Sequence, residues 1–142
     1  MTETENAIAK EIVEAAYRIH TTLGPGLLES VYHTVLAYEL GQRGLRTASQ
    51  QAIPVVYGTI RIDTGFRADL IVEDRVVVEV KSVEAVAPVH RKQLLTYLRL
   101  ADKRLGLLIN FNTVLIKDGI TRIVNGLEEK SHAKSQRREE NL

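Results

Sequence analysis

Polar and apolar positions along this chain follow two rhythms, and the switches between them mark its elements. Over residues 5–19 the apolar positions Ile8, Ile12, Ala15, Ala16 and Ile19 recur at helical spacing. "TTLGPG" at residues 21–26 breaks that rhythm with two glycines and a proline. A second amphipathic helix is expected over about residues 27–40, with Leu28, Val31, Val35 and Leu36 as its inner stripe and Gly41 as its C-terminal cap. Strand territory follows. "QQAIPVVYG" reads as one strand, in which Pro54 argues for an edge or a bulge. "TIRIDTGFRADLIV" reads as a second, bent at Gly65, and "RVVVEVKS" as a third. Pro88 then opens a helix at a first-turn position it favours, running on through "HRKQLLTYLRLA". "RLGLLINF" is a continuous apolar strand, and "TVLIKDGITRIV" is expected to form a hairpin about Asp118-Gly119. This order predicts an α/β fold, a mixed central sheet flanked by helices. One domain is expected over residues 1–126, followed by a polar, disordered tail over 127–142.

Composition narrows the function classes. Hydrophobic residues make up 44% and charged residues 26% of 142, the balance of an ordinary globular domain. No apolar run approaches the roughly 20 residues a membrane helix needs, so no membrane partner is expected. The N-terminus is polar and acidic and lacks the pattern of a signal peptide; cytoplasmic is the simplest location. Cysteine is absent, which excludes disulfides and a thiol nucleophile. A net charge of +1 argues against a wholly polyanion-binding surface but leaves room for a local basic groove. With no Trp and 2 Phe, a base-stacking platform is poorly supported. There is no phosphate loop and no His-Glu-x-x-His zinc motif, and Ser30 and Ser82 lack a placed His–Asp partnership.

The third strand carries the chemistry. Val76, Val78 and Val80 share one face, and Val77, Glu79 and Lys81 share the other. In the strand before it, Phe66, Ala68, Leu70 and Val72 are expected on one face, and Arg67, Asp69 and Ile71 on the other. A three-residue connection from Val72 to Val76 sets Asp69 across from Glu79 and Arg67 across from Lys81. Two carboxylates face to face destabilise a sheet unless something positive compensates. Lys81 is one candidate and a divalent cation a better one, since Mg²⁺ commonly uses one or two carboxylates together with substrate phosphates. The residues alone leave a bland alternative open: Glu79 and Lys81 as a solvated surface pair worth about 0–1 kcal/mol.

Asp69 followed by Glu79-Val80-Lys81 on a valine-rich strand resembles the PD-(D/E)xK nuclease superfamily. "HRKQLLTYL" is similar to the Gln-x-x-x-Tyr helix of its exonuclease-like branch, as Gln93 and Tyr97. "GLLESVY" resembles the signature of the bacterial GxxExxY family, as Gly26, Glu29 and Tyr32, and "GLLINF" and "DGITRIVN" look like its later strands. The similarity spans residues 5–126, and where the superfamily has a proline before the aspartate this chain has Ala68.

The resemblance implies a restriction-endonuclease-like three-layer fold and a Mg²⁺- or Mn²⁺-dependent nuclease acting on DNA in preference to RNA. It implies metal ligation by Asp69, Glu79 and the Val80 carbonyl, with Glu29 completing the acidic cluster directly or through water. Lys81 would contact the attacking water or the scissile phosphate, and Gln93 would line the same cleft. Tyr97, His90, Arg67 and Tyr32 would touch the substrate, and His33, four residues after Glu29, lies on that glutamate's side of its helix. The competing expectation is a non-catalytic module of the same fold that binds nucleic acid or protein. A domain this small is expected to need a partner, a homodimer among the options, to grip a duplex.

Overall fold

The computed structural model describes residues 4–127. Its elements run α1 (Glu5–Leu23), α2 (Glu29–Gln42), β1 (Thr47–Tyr57), β2 (Ile60–Val72), β3 (Val76–Lys81), α3 (Pro88–Ala101), β4 (Leu105–Asn110) and β5 (Ile120–Val124). The five strands form one sheet in the order β1-β2-β3-β4-β5. Only β3 and β4 are parallel, joined through α3; the other neighbours are antiparallel. The sheet is therefore mixed, as the pattern predicted.

Two cores explain the layering. Ile8, Ile12, Ala15, Ala16 and Ile19 of α1 and Leu36 and Leu40 of α2 pack on Leu70, Val72, Val76, Val78 and Val80. On the opposite face Leu94 and Leu98 of α3 pack on Ile71, Val77, Leu108 and Ile123. Both faces of β3 and β4 are covered, which is why β4 reads as a nearly continuous apolar run and β3 as one interrupted at Glu79 before it ends on Lys81. Each fully buried Leu, Ile or Val contributes about 1.5–3 kcal/mol. No helix among the described residues is long and apolar enough to cross a membrane.

Several expectations are corrected. The inner stripe of α2 is Tyr32, Leu36 and Leu40; Leu28 is 73% exposed and Val31 is exposed, because the helix starts at Glu29 and is rotated to bury Tyr32. Its C-cap is Arg43, followed by Gly44 at φ 82°, and Gly41 lies within the helix. Residues 113–124 form no hairpin: Ile116–Gly119 is a 3-10 turn leading into β5. An Asp-Gly hairpin turn needs a positive φ at the glycine, and Gly119 has none. The glycine serves a close approach instead, since a Cβ there would collide with the Asn110 carbonyl. Of the expected tail, Leu127 packs against the first core, and 128–142 lie outside the described residues. Pro54 does lie on an edge strand and at a register shift, between Ile53 and Val55.

The face expected to hold Phe66, Ala68, Leu70 and Val72 together is broken at Asp69. Leu70 and Val72 join the first core, while Phe66 and Ala68 join the second. Opposite the break, Gln50 has φ 53°, and β1–β2 pairing passes from Ser49↔Leu70 directly to Gln51↔Ala68. The β2–β3 ladder also stops here: it comprises Leu70↔Val78, Ile71↔Val77 and Val72↔Val76. Beyond Leu70, β2 diverges from β3. Arg67 consequently pairs with Ala52 of β1, not with Lys81.

Candidate functional site

Where the ladder ends, side chains replace it. The Asp69 N–H donates to Glu79 Oε2 at 3.0 Å, and the Val80 N–H donates to Asp69 Oδ2 at 2.8 Å. Each carboxylate thus bonds the other's strand, in the register that the short Val72–Val76 connection predicted. The apolar partners of β3 fix Glu79 in place, because Val78 and Val80 on either side of it are fully buried. Glu79 itself is only 8% exposed.

That burial has an electrostatic cost. Desolvation first, and the negative charge of Asp69 second, push the Glu79 carboxyl up to about 8; Lys81 and the Asp69 N–H pull it back only in part. At neutral pH Glu79 keeps its proton beside Asp69 when no further cation is near. Tyr97 feels the same pair: burial, then the charges of Glu79 and Asp69, raise its phenol above the usual value. Its ring stacks on Phe66 at 3.8 Å between centroids.

Lys81 ends β3, half-buried. Its carbonyl accepts from the Phe111 N–H at 2.9 Å. Just past it, buried Asn110 grips Val83 by both backbone groups: its Oδ1 accepts from the Val83 N–H at 3.1 Å and its Nδ2 donates to the Val83 carbonyl at 2.9 Å. The same Oδ1 accepts from the Asn112 N–H at 3.2 Å. The strand end that carries the lysine is thereby fastened.

Glu29 reaches the site through a stapled loop. Gly24 and Gly26 have φ 74° and 100°, the left-handed region that favours glycine. The Tyr32 hydroxyl donates to the Gly24 carbonyl at 2.6 Å and accepts from the Leu27 N–H at 3.1 Å. Ser82 Oγ donates to the Leu27 carbonyl at 2.6 Å, tying the loop to the end of β3. Glu29 then opens α2 and, with Ser30, His33, Gln50 and Asp69, lines a groove of about 300 Å³. A larger groove of about 420 Å³ lies at the β2–β3 turn, away from this chemistry, and its cations Arg46, Arg75 and Lys103 are paired with Glu73, Glu5 and Asp74.

The structure brings Asp69, Glu79, Val80, Lys81 and Tyr97 together, with Glu29 across the groove. Val80 is engaged through its N–H. Gln93 lies exposed one turn before Tyr97. Three expected substrate contacts also have partners within the fold, and burial removes one of them, Tyr32, from reach. Tyr32 is fully buried, stacked on Phe111 at 4.6 Å, and offers no surface to a substrate. His90 accepts the Ala87 N–H at Nδ1 (3.1 Å), capping α3. Arg67 is exposed and donates to the Gln50 carbonyl at 3.5 Å. Two residues join that sequence reasoning undervalued or missed. The His33 ring bonds the Asp69 carbonyl through Nε2 at 2.9 Å, for which its spacing from Glu29 was the signal. Gln50 Nε2 reaches Asp69 Oδ1 at 3.5 Å, and nothing in the local sequence announces its left-handed backbone.

A family model described as the PD-(D/E)XK nuclease superfamily matches residues 6–123. Searches among curated proteins and among solved structures each found no match.

Proposed function

The chain belongs to the PD-(D/E)XK nuclease superfamily, and from that premise we propose that it is a divalent-metal-dependent phosphodiesterase cleaving DNA, of the GxxExxY branch. The observation that carries this reading is the opposed pair of half-buried Asp69 and buried Glu79, bonded across diverging strands with too little positive charge between them.

The donor set fits a hard cation. The oxygens belong to carboxylates, and the charge that pushes Glu79 up is what a cation would neutralise. Among the described residues no cluster of three or more His, Asp or Glu is gathered into a closed metal cage. Mg²⁺ does not need one, since it usually takes one or two carboxylates and completes its shell with water and substrate phosphate. Asp69 and Glu79 would hold the ion, with Glu29 contributing across the groove. A bound cation supplies charge neutralisation and Lewis acidity toward the scissile phosphate.

The remaining roles fall to the chain itself. Lys81, two residues past Glu79 at the open end of β3, would face the phosphate and offset charge developing on it. Gln93 and Tyr97 would line the wall that α3 gives the cleft. Tyr32 and Ser82 hold the loop that presents Glu29, and Asn110 fastens the strand end that presents Lys81; these are positioning residues.

Cleavage of supercoiled plasmid, linear duplex, single-stranded DNA and RNA in Mg²⁺ or Mn²⁺ tests the reading. DNA cleavage that chelator abolishes, and that Lys81→Ala lowers about 10²–10³-fold, is the expected result. If wild type and Lys81→Ala are equally inert on every substrate, the chain is a binding module that keeps only the fold.

A further inference from the structure

From Asp69 outward the β1–β2 hairpin leaves the sheet as a two-stranded ribbon, because β3 pairs with β2 only at Leu70, Ile71 and Val72. An isolated two-stranded ribbon is marginal in water. This one is also amphipathic. Cross-strand pairs Val55↔Ile62 and Tyr57↔Ile60 stack on one face of its outer half. Val56↔Arg61 lies on the other, where Arg61 pairs with Asp63 at 3.1 Å. The apolar face has no cover: Tyr57 is 82% exposed, Ile60 60% and Ile62 53%.

Charge decides what could cover it. Residues 47–60 contain no charged side chain, in a chain where 26% are charged. Edge strands normally carry lysine or other charge to prevent association, and β1 has only Pro54. A polyanion needs cations to displace its counterions, and the one arginine of the outer ribbon is already paired with Asp63. A second copy of the chain fits all of these facts. Its own apolar ribbon face is the matching surface, the Arg61–Asp63 pair stays on the opposite, solvent-facing side, and a net charge of +1 per chain gives little repulsion. Pro54 lacks an N–H, so the contact is face to face rather than one continuous edge ladder.

We infer that the ribbon is a homodimerisation arm, packing Tyr57, Ile60 and Ile62 against the same residues of a second copy. The inference stands apart from the nuclease reading, and its test does not involve activity. Sedimentation velocity of the full chain, from submicromolar to near-millimolar concentration, should show a dimer. Tyr57→Thr with Ile60→Thr, which keeps strand-favouring residues, should sediment as a monomer with an unchanged circular dichroism spectrum. The chain has no cysteine, so Thr59→Cys supplies a single thiol, and a short bis-maleimide should cross-link it to a dimer. A wild type that stays monomeric overturns the inference, as does a double variant that stays dimeric. If a monomeric wild type binds a short DNA duplex or neutral lipid vesicles through Tyr57 and Ile60, the arm serves that ligand and the inference is equally overturned.

Discussion

Replacing Glu79 by Gln should make the metal-free protein more stable in base. In the folded chain the Glu79 carboxyl is raised to about 8 from an ordinary 4.5, by burial first and by Asp69 second. An acid whose folded pKa is raised binds more protons folded than unfolded across that interval. Stability is therefore complete below about 4.5, falls as pH climbs toward about 8, and is level above it. At 1.36 kcal/mol per pH unit the full interval would cost roughly 5 kcal/mol. Glu79 keeps 8% of its surface exposed and effective protein dielectrics lie near 20, so ~2–3 kcal/mol is expected. Glutamine reproduces the protonated acid: its oxygen can accept the Asp69 N–H, and its NH₂ can donate to the Asp69 carboxylate. Urea unfolding of wild type and Glu79→Gln, in chelator at pH 5.5 and pH 9, measures the difference. The wild type should lose ~2–3 kcal/mol more than the variant on going to pH 9, a shift of about 8 °C in melting temperature. Mn²⁺ at pH 9 should restore the wild type and leave the variant unmoved, by about 2.7 kcal/mol at one hundred times its Kd. Parallel pH profiles, or a variant less stable than wild type at pH 9, would refute the account of the acid pair.

Other consequences can be measured separately. Tyr97→Phe should remove an alkaline-shifted component from the tyrosine absorbance titration, because burial and both acids raise that phenol. Tyr32→Phe should cost about 1–2 kcal/mol in unfolding experiments through its two loop hydrogen bonds; an unchanged midpoint would mean the staple contributes nothing. Gly119→Ala should cost about 1–3 kcal/mol, since the added methyl meets the Asn110 carbonyl.

The regular parts of this fold were legible because their signals are local. The helical rhythm of residues 5–19 and Pro88 at a helix start needed no tertiary knowledge. The register across the Val72–Val76 connection followed from loop length and apolar faces, and it placed Asp69 beside Glu79. Three things escaped. Asp118-Gly119 carries a turn signal that cannot be told apart from a glycine required by the neighbouring Asn110 carbonyl. The rotation of α2 is set by Tyr32 stacking on Phe111, a contact across 79 positions of chain. The break at Asp69 depends on Gln50 taking a left-handed backbone, which glutamine does not advertise. Tyr32 and His90 had motif positions suited to a site, but their polar atoms serve a loop and a helix start.

The divergence of β2 from β3 has a mechanical consequence. β3 is held by β4 along its whole length, from Val76↔Leu105 to Lys81↔Asn110, whereas from Asp69 outward the ribbon has no β3 partner and rests on α3 at its base through Ile53, Phe66 and Ala68. Any torque on the ribbon arrives at this fork. The first bonds it meets are Asp69 N–H to Glu79 and Val80 N–H to Asp69. The two acids are thus a latch across the fork as well as the oxygen donors proposed for a cation. Ionising Glu79 loads the latch with like charge, so the closure of the fork is weakest in base.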